Sequence, residues 1–411
     1  MAKELAFVLI NPYTIAKSRT GGVIARYMRR TDLDFVGARM FAPGKELVDR
    51  YARLIRHIDP EQPQTCQLLA DYIQTSYSPD PATGRSRRVM MLLFEGEDAI
   101  RKIWDVTGSA TLKSGSGETV RDTYGDYILD ANGHVRYCEP AVLVSPTRQR
   151  AAATLCLWAQ YAGRVPVFSE PAADVPVGEN VEKTLVLLKP DNFRIPSSRP
   201  GNIIDILSAS GLRITGVKRF FMTVAQAEEF YGPVFDALRQ KFPQFGTKRA
   251  ADALAREFGF PIPDKCLISV CEQLGPVFAR QQFESIVEFM TGYKPSEVSA
   301  SEKARRGRVG CLALVYEGVD AVRKIRSIVG VTDPSQARPG SVRREYGSNI
   351  MVNAVHASDS AANAIREMKI IRMNEDSVKG YIGKYYGGLL TKFSGPLHDA
   401  FARVGQWLKQ P

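Results

Sequence analysis

The sequence predicts an α+β protein: two tandem copies of one βαββαβ sandwich, the second carrying helical insertions. Two observations predict this. The first is an internal repeat. Phe94–Ile103 (F-E-G-E-D-A-I-R-K-I) recurs as Tyr316–Ile325 (Y-E-G-V-D-A-V-R-K-I), and the same offset carries Gly117–Gly125 onto Pro339–Gly347. The second is the order of patterns. In each half, apolar strand-like runs alternate with helix-like stretches, which suits a ferredoxin-like sandwich.

Each half opens on a buried strand, Leu5–Ile10 or Leu185–Leu188, followed by a turn on Pro12 or Pro190. An amphipathic helix comes next, Gly22–Met28 or Gly201–Ala209. A second strand then ends F-V-G-A-R-M-F or I-T-G-V-K-R-F-F. A helical region precedes the third strand, Val89–Phe94 or Cys311–Tyr316. The repeated D-A-[IV]-R-K-I helix, a loop, a last strand and a last helix complete each half. The expected domains are 1–165 and 182–375, with a Pro- and Gly-containing linker at 166–181 and a tail at 376–411. The second domain carries an insertion at about 232–278, reading as one or two amphipathic helices, and a smaller one at Tyr293–Gly310.

Composition is ordinary for a globular chain of 411 residues. A net charge of +11 allows attraction to polyanions, but no long basic run or aromatic–basic interleave speaks for nucleic acid. The densest cluster, Lys303–Arg308, reads as a solvated loop. Six cysteines show no C-x-x-C pair and no zinc spacing, and read as small core residues. No apolar run approaches a membrane span, and the chain opens on a strand-like segment rather than a leader, so a cytoplasmic setting is expected.

Of four histidines, His356 has informative neighbours. Upstream runs a β-leaning stretch, Ile350, Met351 and Val352, then Ala354 and Val355. Downstream, Ser358, Asp359 and Ser360 are good helix N-caps before a helix at Ala361–Met368. An imidazole between a strand and a helix start, with arginines just upstream, suits a phosphorylated state, because oriented N–H groups and cations favour negative charge.

The string N-x-x-H-x-S-D-S behind R-P-G-S-V-R resembles the active-site signature of nucleoside diphosphate kinases, well in the second half and weakly in the first. The resemblance implies a ferredoxin-like fold and a ping-pong transfer from a nucleoside triphosphate to a diphosphate through phosphorylated His356. It implies Lys189, Arg326 and Arg343 on the nucleotide phosphates with Thr332 beside them, and Asn353 on the sugar. Tyr231 then lies near the histidine, and Ser358 and Glu367 support its ring. Mg²⁺ would be carried mainly by the phosphates. Because the family is typically oligomeric, the resemblance also implies an intramolecular pseudo-dimer and a homo-oligomer. The alternative is a regulatory or scaffold protein that binds nucleotide with weak turnover.

The first half diverges, with Asn11, Trp104 and Ala110 where the second has Lys189, Arg326 and Thr332; it keeps Arg121 opposite Arg343. Either His134 or Leu143 stands opposite His356, depending on whether a short hairpin is inserted. The first half is therefore expected to be a non-catalytic copy. The second half departs from the family too, with Gln282 and Phe283 around the place of a base-stacking aromatic, and Ala357 for a glycine.

Overall fold

The structure, a computed structural model, describes residues 3–111, 116–163, 171–178 and 180–390. Residues 166–170 of the expected linker, and the tail beyond 390 with His398 and Trp407, lie outside the described residues. The chain forms two compact units. One joins the residues up to Phe220 with those from Leu312 onward; the other is Phe221–Cys311.

In the first unit, β1 (Lys3–Ile10), α1 (Pro12–Ala16), α2 (Thr20–Arg30) and β2 (Asp34–Phe41) are followed by α3 (Lys45–Arg56), α4 (Pro63–Ser76) and β3 (Val89–Glu97). Then come α5 (Ala99–Thr107), α6 (Val120–Tyr124), a hairpin of β4 (Asp126–Leu129) and β5 (Val135–Glu139), β6 (Val142–Leu143) and α7 (Arg148–Ala159). The second half repeats the plan with β7 (Val181–Leu188), α8 (Arg199–Ser208) and β8 (Arg213–Phe220). Between β8 and the next sheet strand run α9 (Val224–Phe258) and α10 (Asp264–Thr291). The second half closes with β9 (Cys311–Val319), α11 (Ala321–Val329), α12 (Val342–Tyr346), β10 (Val355–Ala357), α13 (Ala361–Ile370) and α14 (Lys379–Leu390).

Eight strands form one sheet, in the order β10-β7-β9-β8-β2-β3-β1-β6. Within each half the order is fourth, first, third, second, the antiparallel ferredoxin-like arrangement. Leu5–Ile10 and Val89–Phe94 are buried at every position, so both faces of these strands are covered. The halves join where β2 meets β8, with Arg39 opposite Lys218. That pairing also covers two edges that would otherwise offer free backbone groups.

Helices α2 and α8 pack across the same junction at glycines. A Cβ on Gly21 would meet Asp205 N and Gly201 O at 2.6 Å, and one on Gly201 would run into Gly21 O and Ala25 N. The C-terminal α14 returns to the first half, where Tyr386 donates to Leu5 O at 3.0 Å and Lys384 pairs with Glu95 at 3.0 Å. Of the cysteines, four are buried, Cys138 is half-buried and Cys266 exposed.

The β-leaning run before His356 is not a strand. Met351 N and Val352 N donate to Asn349 Oδ1, Ser348 N donates to Val352 O, and Ile350 is 62 % exposed. The asparagine's own side chain wins the backbone donors. Ala354 then takes φ +67°, which breaks extended geometry, and only Val355–Ala357 join the sheet.

In the second unit, Thr223 and Gln226 form a capping box at the start of α9, and Gly259 at φ +74° ends it. The helix continues through Pro233 and Pro243 and starts before the expected insertion. Phe242, Phe245 and Phe278 stack between α9 and α10, and a Cβ on Gly246 would meet the Phe242 ring at 2.7 Å. The basic cluster is tied down rather than simply solvated. Lys303 pairs with Glu228 at 2.7 Å, and the Arg306 and Arg308 guanidinium groups lie over Phe221 and Tyr293. Among the described residues no helix is long and apolar enough to cross a membrane.

Candidate active site

His356 sits mid-strand in β10, opposite Leu187 of β7. Its Nε2 lies 2.9 Å from Glu367 Oε2, one turn from the end of α13. The same oxygen accepts from Ser358 Oγ at 2.6 Å. Because Oε2 acts as the acceptor, Nε2 carries the ring proton, and the lone pair falls on Nδ1. Glu367 and Ser358 are buried, the His356 side chain is 21 % exposed, and Arg366 reaches the other Glu367 oxygen at 3.9 Å.

The three cap candidates divide their work. Ser360 is the N-cap of α13, accepting from Asn363 N, a bond worth about 1 kcal/mol. Asp359 accepts from Asn363 Nδ2 at 2.6 Å. That bond, with help from the Ser360 hydroxyl and the Arg326 charge, holds the Asp359 carboxyl below its usual range against the cost of burial. Ser358 serves Glu367 instead.

Lys189, at the end of β7, is buried and donates from Nζ to Met351 O at 2.9 Å and to Asn353 Oδ1 at 2.7 Å. Asn353 donates in turn to the backbone carbonyls of Thr332 and Ile350. Arg343, on α12, donates from Nη2 to Val355 O at 3.1 Å, one residue before the histidine, and from Nη1 to Gly330 O at 2.9 Å. Arg326, exposed in the last turn of α11, acts on Asp359 through its charge. Thus Lys189, Asn353, Thr332 and Arg343 are joined around the chain that leads into His356, and Glu367, held by Ser358, meets its ring. Tyr231 is buried on α9, in the second unit.

The sequence pattern missed two residues. Asn192, 1 % exposed, donates from Nδ2 to Ala354 O at 2.7 Å and to Lys189 O at 3.0 Å. Arg199 donates from Nε to Asn192 Oδ1 at 2.7 Å and pairs with Asp191 at 3.1 Å. The readable signal was the repeat itself, which sets Asn192 against Thr14.

In the first half the register is settled by the strands. Leu143 pairs with Leu9 as His356 pairs with Leu187, and Ala141 takes φ +60° as Ala354 takes φ +67°. Arg121 donates to Gly108 O and Val142 O, the counterparts of Gly330 O and Val355 O. Leu143 therefore occupies the histidine's place. His134 sits exposed in the β4–β5 hairpin, beside the turn that Asp130 closes. Counting on along α7, Thr154 falls where α13 has Glu367. Asn11 donates to Glu139 at 3.1 Å and accepts from Tyr77 at 2.7 Å, while Tyr72 donates to Glu139. Burial raises the Glu139 carboxyl above its usual range. Asn11 thus sits in a buried polar network where the second half has a lysine, and the charge that reaches Glu139 is that of Arg19.

Comparison with known proteins matches residues 279–376 to the family described as "Nucleoside diphosphate kinase". A nucleoside diphosphate kinase of Bdellovibrio bacteriovorus is 30 % identical over 46 % of this chain and 92 % of its own length. One from Methylorubrum populi is 31 % identical over 44 % of this chain and 87 % of its own. A solved structure of the Aquifex aeolicus nucleoside diphosphate kinase is 28 % identical, covering 46 % of this chain and 94 % of its own, with a TM-score of 0.29. The sequence relatives, matched over nearly their whole length, place this chain in the nucleoside diphosphate kinase family.

Proposed function

We propose that the second half is a nucleoside diphosphate kinase working through a phosphohistidine on His356, with a catalytic domain at 182–375 and a non-catalytic first domain at 1–165. One observation carries the reading: a ring whose Nε2 faces Glu367, itself held by Ser358, with Arg343 bonded to the adjoining carbonyl. The first half has the same backbone with Leu143 in the ring's place.

In the first step the Nδ1 lone pair attacks the γ-phosphorus of a nucleoside triphosphate. The P–N bond forms as the bond to the bridging oxygen breaks, and the diphosphate leaves with that electron pair. In the second, a terminal oxygen of an acceptor diphosphate attacks the phosphorus, and the P–N electrons return to Nδ1. Glu367 holds the Nε2 proton throughout. Lys189, Arg326 and Arg343 spread the charge on the transferring group, and Asn353 and Thr332 bound the sugar and phosphates. Tyr231 is assigned beside the ring by family resemblance alone.

Lys189, Arg326 and Arg343 offer no oxygen to a metal, so a magnesium ion would be carried on the nucleotide phosphates rather than on these side chains. Among the described residues no three His, Cys, Asp or Glu side chains gather as a protein-only cage. When bound, the ion would neutralise phosphate charge and order the chain of phosphates.

The first half serves as a built-in partner, its edge strand β2 completing the sheet at β8. Incubation with γ-labelled ATP tests the central reading. The expected result is an acid-labile, base-stable label, lost on adding a diphosphate and absent from His356→Gln. Nucleotide binding without label in the native protein would favour the regulatory alternative, and full activity of His356→Gln would overturn the assignment.

A further inference from the structure

We propose that Asn192, held by Arg199, is a positioning residue that sets Lys189 and His356 in register; this rests on the kinase reading above. The carbonyl of Ala354, two residues before His356, accepts from two donors that belong to the other side of the site. One is Lys189 N at 2.9 Å, the other Asn192 Nδ2 at 2.7 Å. Asn192 Nδ2 also reaches Lys189 O at 3.0 Å. One buried amide thus ties the strand end that presents the lysine to the left-handed residue that aims the histidine strand. Ala354 at φ +67° is strained, so it persists only where neighbours hold it.

Arg199 fixes the amide's other end. Its Nε donates to Asn192 Oδ1 at 2.7 Å, so the amide cannot flip without losing that bond. Its Nη2 pairs with Asp191 at 3.1 Å and donates to Tyr346 O, at the end of the helix that carries Arg343, and its plane lies over the Tyr346 ring. Three segments bearing Lys189, Arg343 and His356 therefore meet on one Arg199–Asn192 pair.

The first half serves as an internal control. There Thr14 Oγ1 donates to Ala141 O at 2.9 Å, and Arg19 donates to Tyr124 O at 2.9 Å while lying over the Tyr13 ring. The two outer bonds are retained. In the first half the two residues are joined through the backbone, Arg19 N donating to Thr14 O at 3.0 Å, whereas in the half with the histidine the arginine side chain holds the amide oxygen itself. The side-chain link between the outer bonds is the feature in which the halves differ.

The test uses the full chain with Asn192→Thr, Asn192→Ala, Arg199→Met and Arg199→Lys. Single-turnover labelling from γ-labelled ATP is measured with the KM for ATP, the melting midpoint and amide exchange at Lys189. Asn192→Thr keeps the first-half bond, so its melting should stay near native. Its labelling rate should fall on the order of tenfold with KM little changed, as expected for a small misplacement of reacting groups. Lys189 amide exchange should quicken by a similar factor. Arg199→Lys, which restores one donor, should recover part of the rate lost in Arg199→Met. Native labelling rates in both Asn192 variants would overturn the proposal. If the native chain takes no label, the kinase reading fails by itself, and exchange still decides the clamp: unchanged exchange in Asn192→Ala overturns it.

Discussion

Leu143 and His356 occupy equivalent positions on the two edge strands of the sheet, one facing Leu9 and the other Leu187, and each follows a left-handed alanine two residues earlier. The backbone is repeated and the chemistry is not. Placing a histidine in the first half should therefore not create a second active site. In a His356→Gln background, Leu143→His should take no label from γ-labelled ATP, because Asn11, Trp104 and Thr154 stand where lysine, arginine and glutamate are needed. A label on residue 143 would show that the cradle, not the ring, had been misjudged.

Glu367 should matter through orientation. Glu367→Ala removes the acceptor of the ring Nε2 and leaves the buried Ser358 hydroxyl with its longer bond to Leu185 O at 3.4 Å. We expect stability to drop by about 1–3 kcal/mol and the labelling rate to fall roughly tenfold to a hundredfold, with the label still on His356. Chemical denaturation and rapid-quench labelling check the two effects separately; a native rate would remove Glu367 from the mechanism.

The junction between halves depends on Gly21 and Gly201. Gly201→Val would drive a side chain into the Gly21 carbonyl and the Ala25 amide. The cost should be about 3 kcal/mol in urea unfolding. If the first half supports the second, activity should fall along with it. Full activity at native stability would argue against the built-in partner.

Lys218 gives the junction a pH dependence. Burial pushes its ammonium down to about 8, while Glu375 and Asp376 pull it up and Arg39 and Arg372 push it down. Its Nζ donates to Ile371 O and Arg372 O. Between about pH 8 and 10.5 the unfolded chain holds this proton and the folded chain does not. Stability from this group therefore rises with pH across that window, by up to about 1.4 kcal/mol per unit. The stability difference between the native protein and Lys218→Met should shift in the native protein's favour as pH rises; a flat difference would place the proton elsewhere.

Much of this was legible in the chain. The repeat announced two halves of one plan, and alternating apolar runs placed most elements to within a few residues, because period-2 and period-3.6 patterns follow directly from which face is buried. The motif around His356 named the residues that meet Lys189, Asn353 and Glu367. The Ile350–Val352 run misled, since Asn349 captured backbone donors that a propensity count assigns to a sheet.

What the sequence by itself determined was the internal repeat of short motifs, the fold of each half and the short list of chemical groups, all of which are local patterns or fixed spacings. Tertiary structure alone decided that Leu143 rather than His134 stands opposite His356, that β2 and β8 fuse the halves into one sheet, and that Asn192 and Arg199 bind three distant segments. Those facts depend on strand register and on hydrogen bonds between residues far apart in the chain, and neither quantity is carried by any one stretch of it.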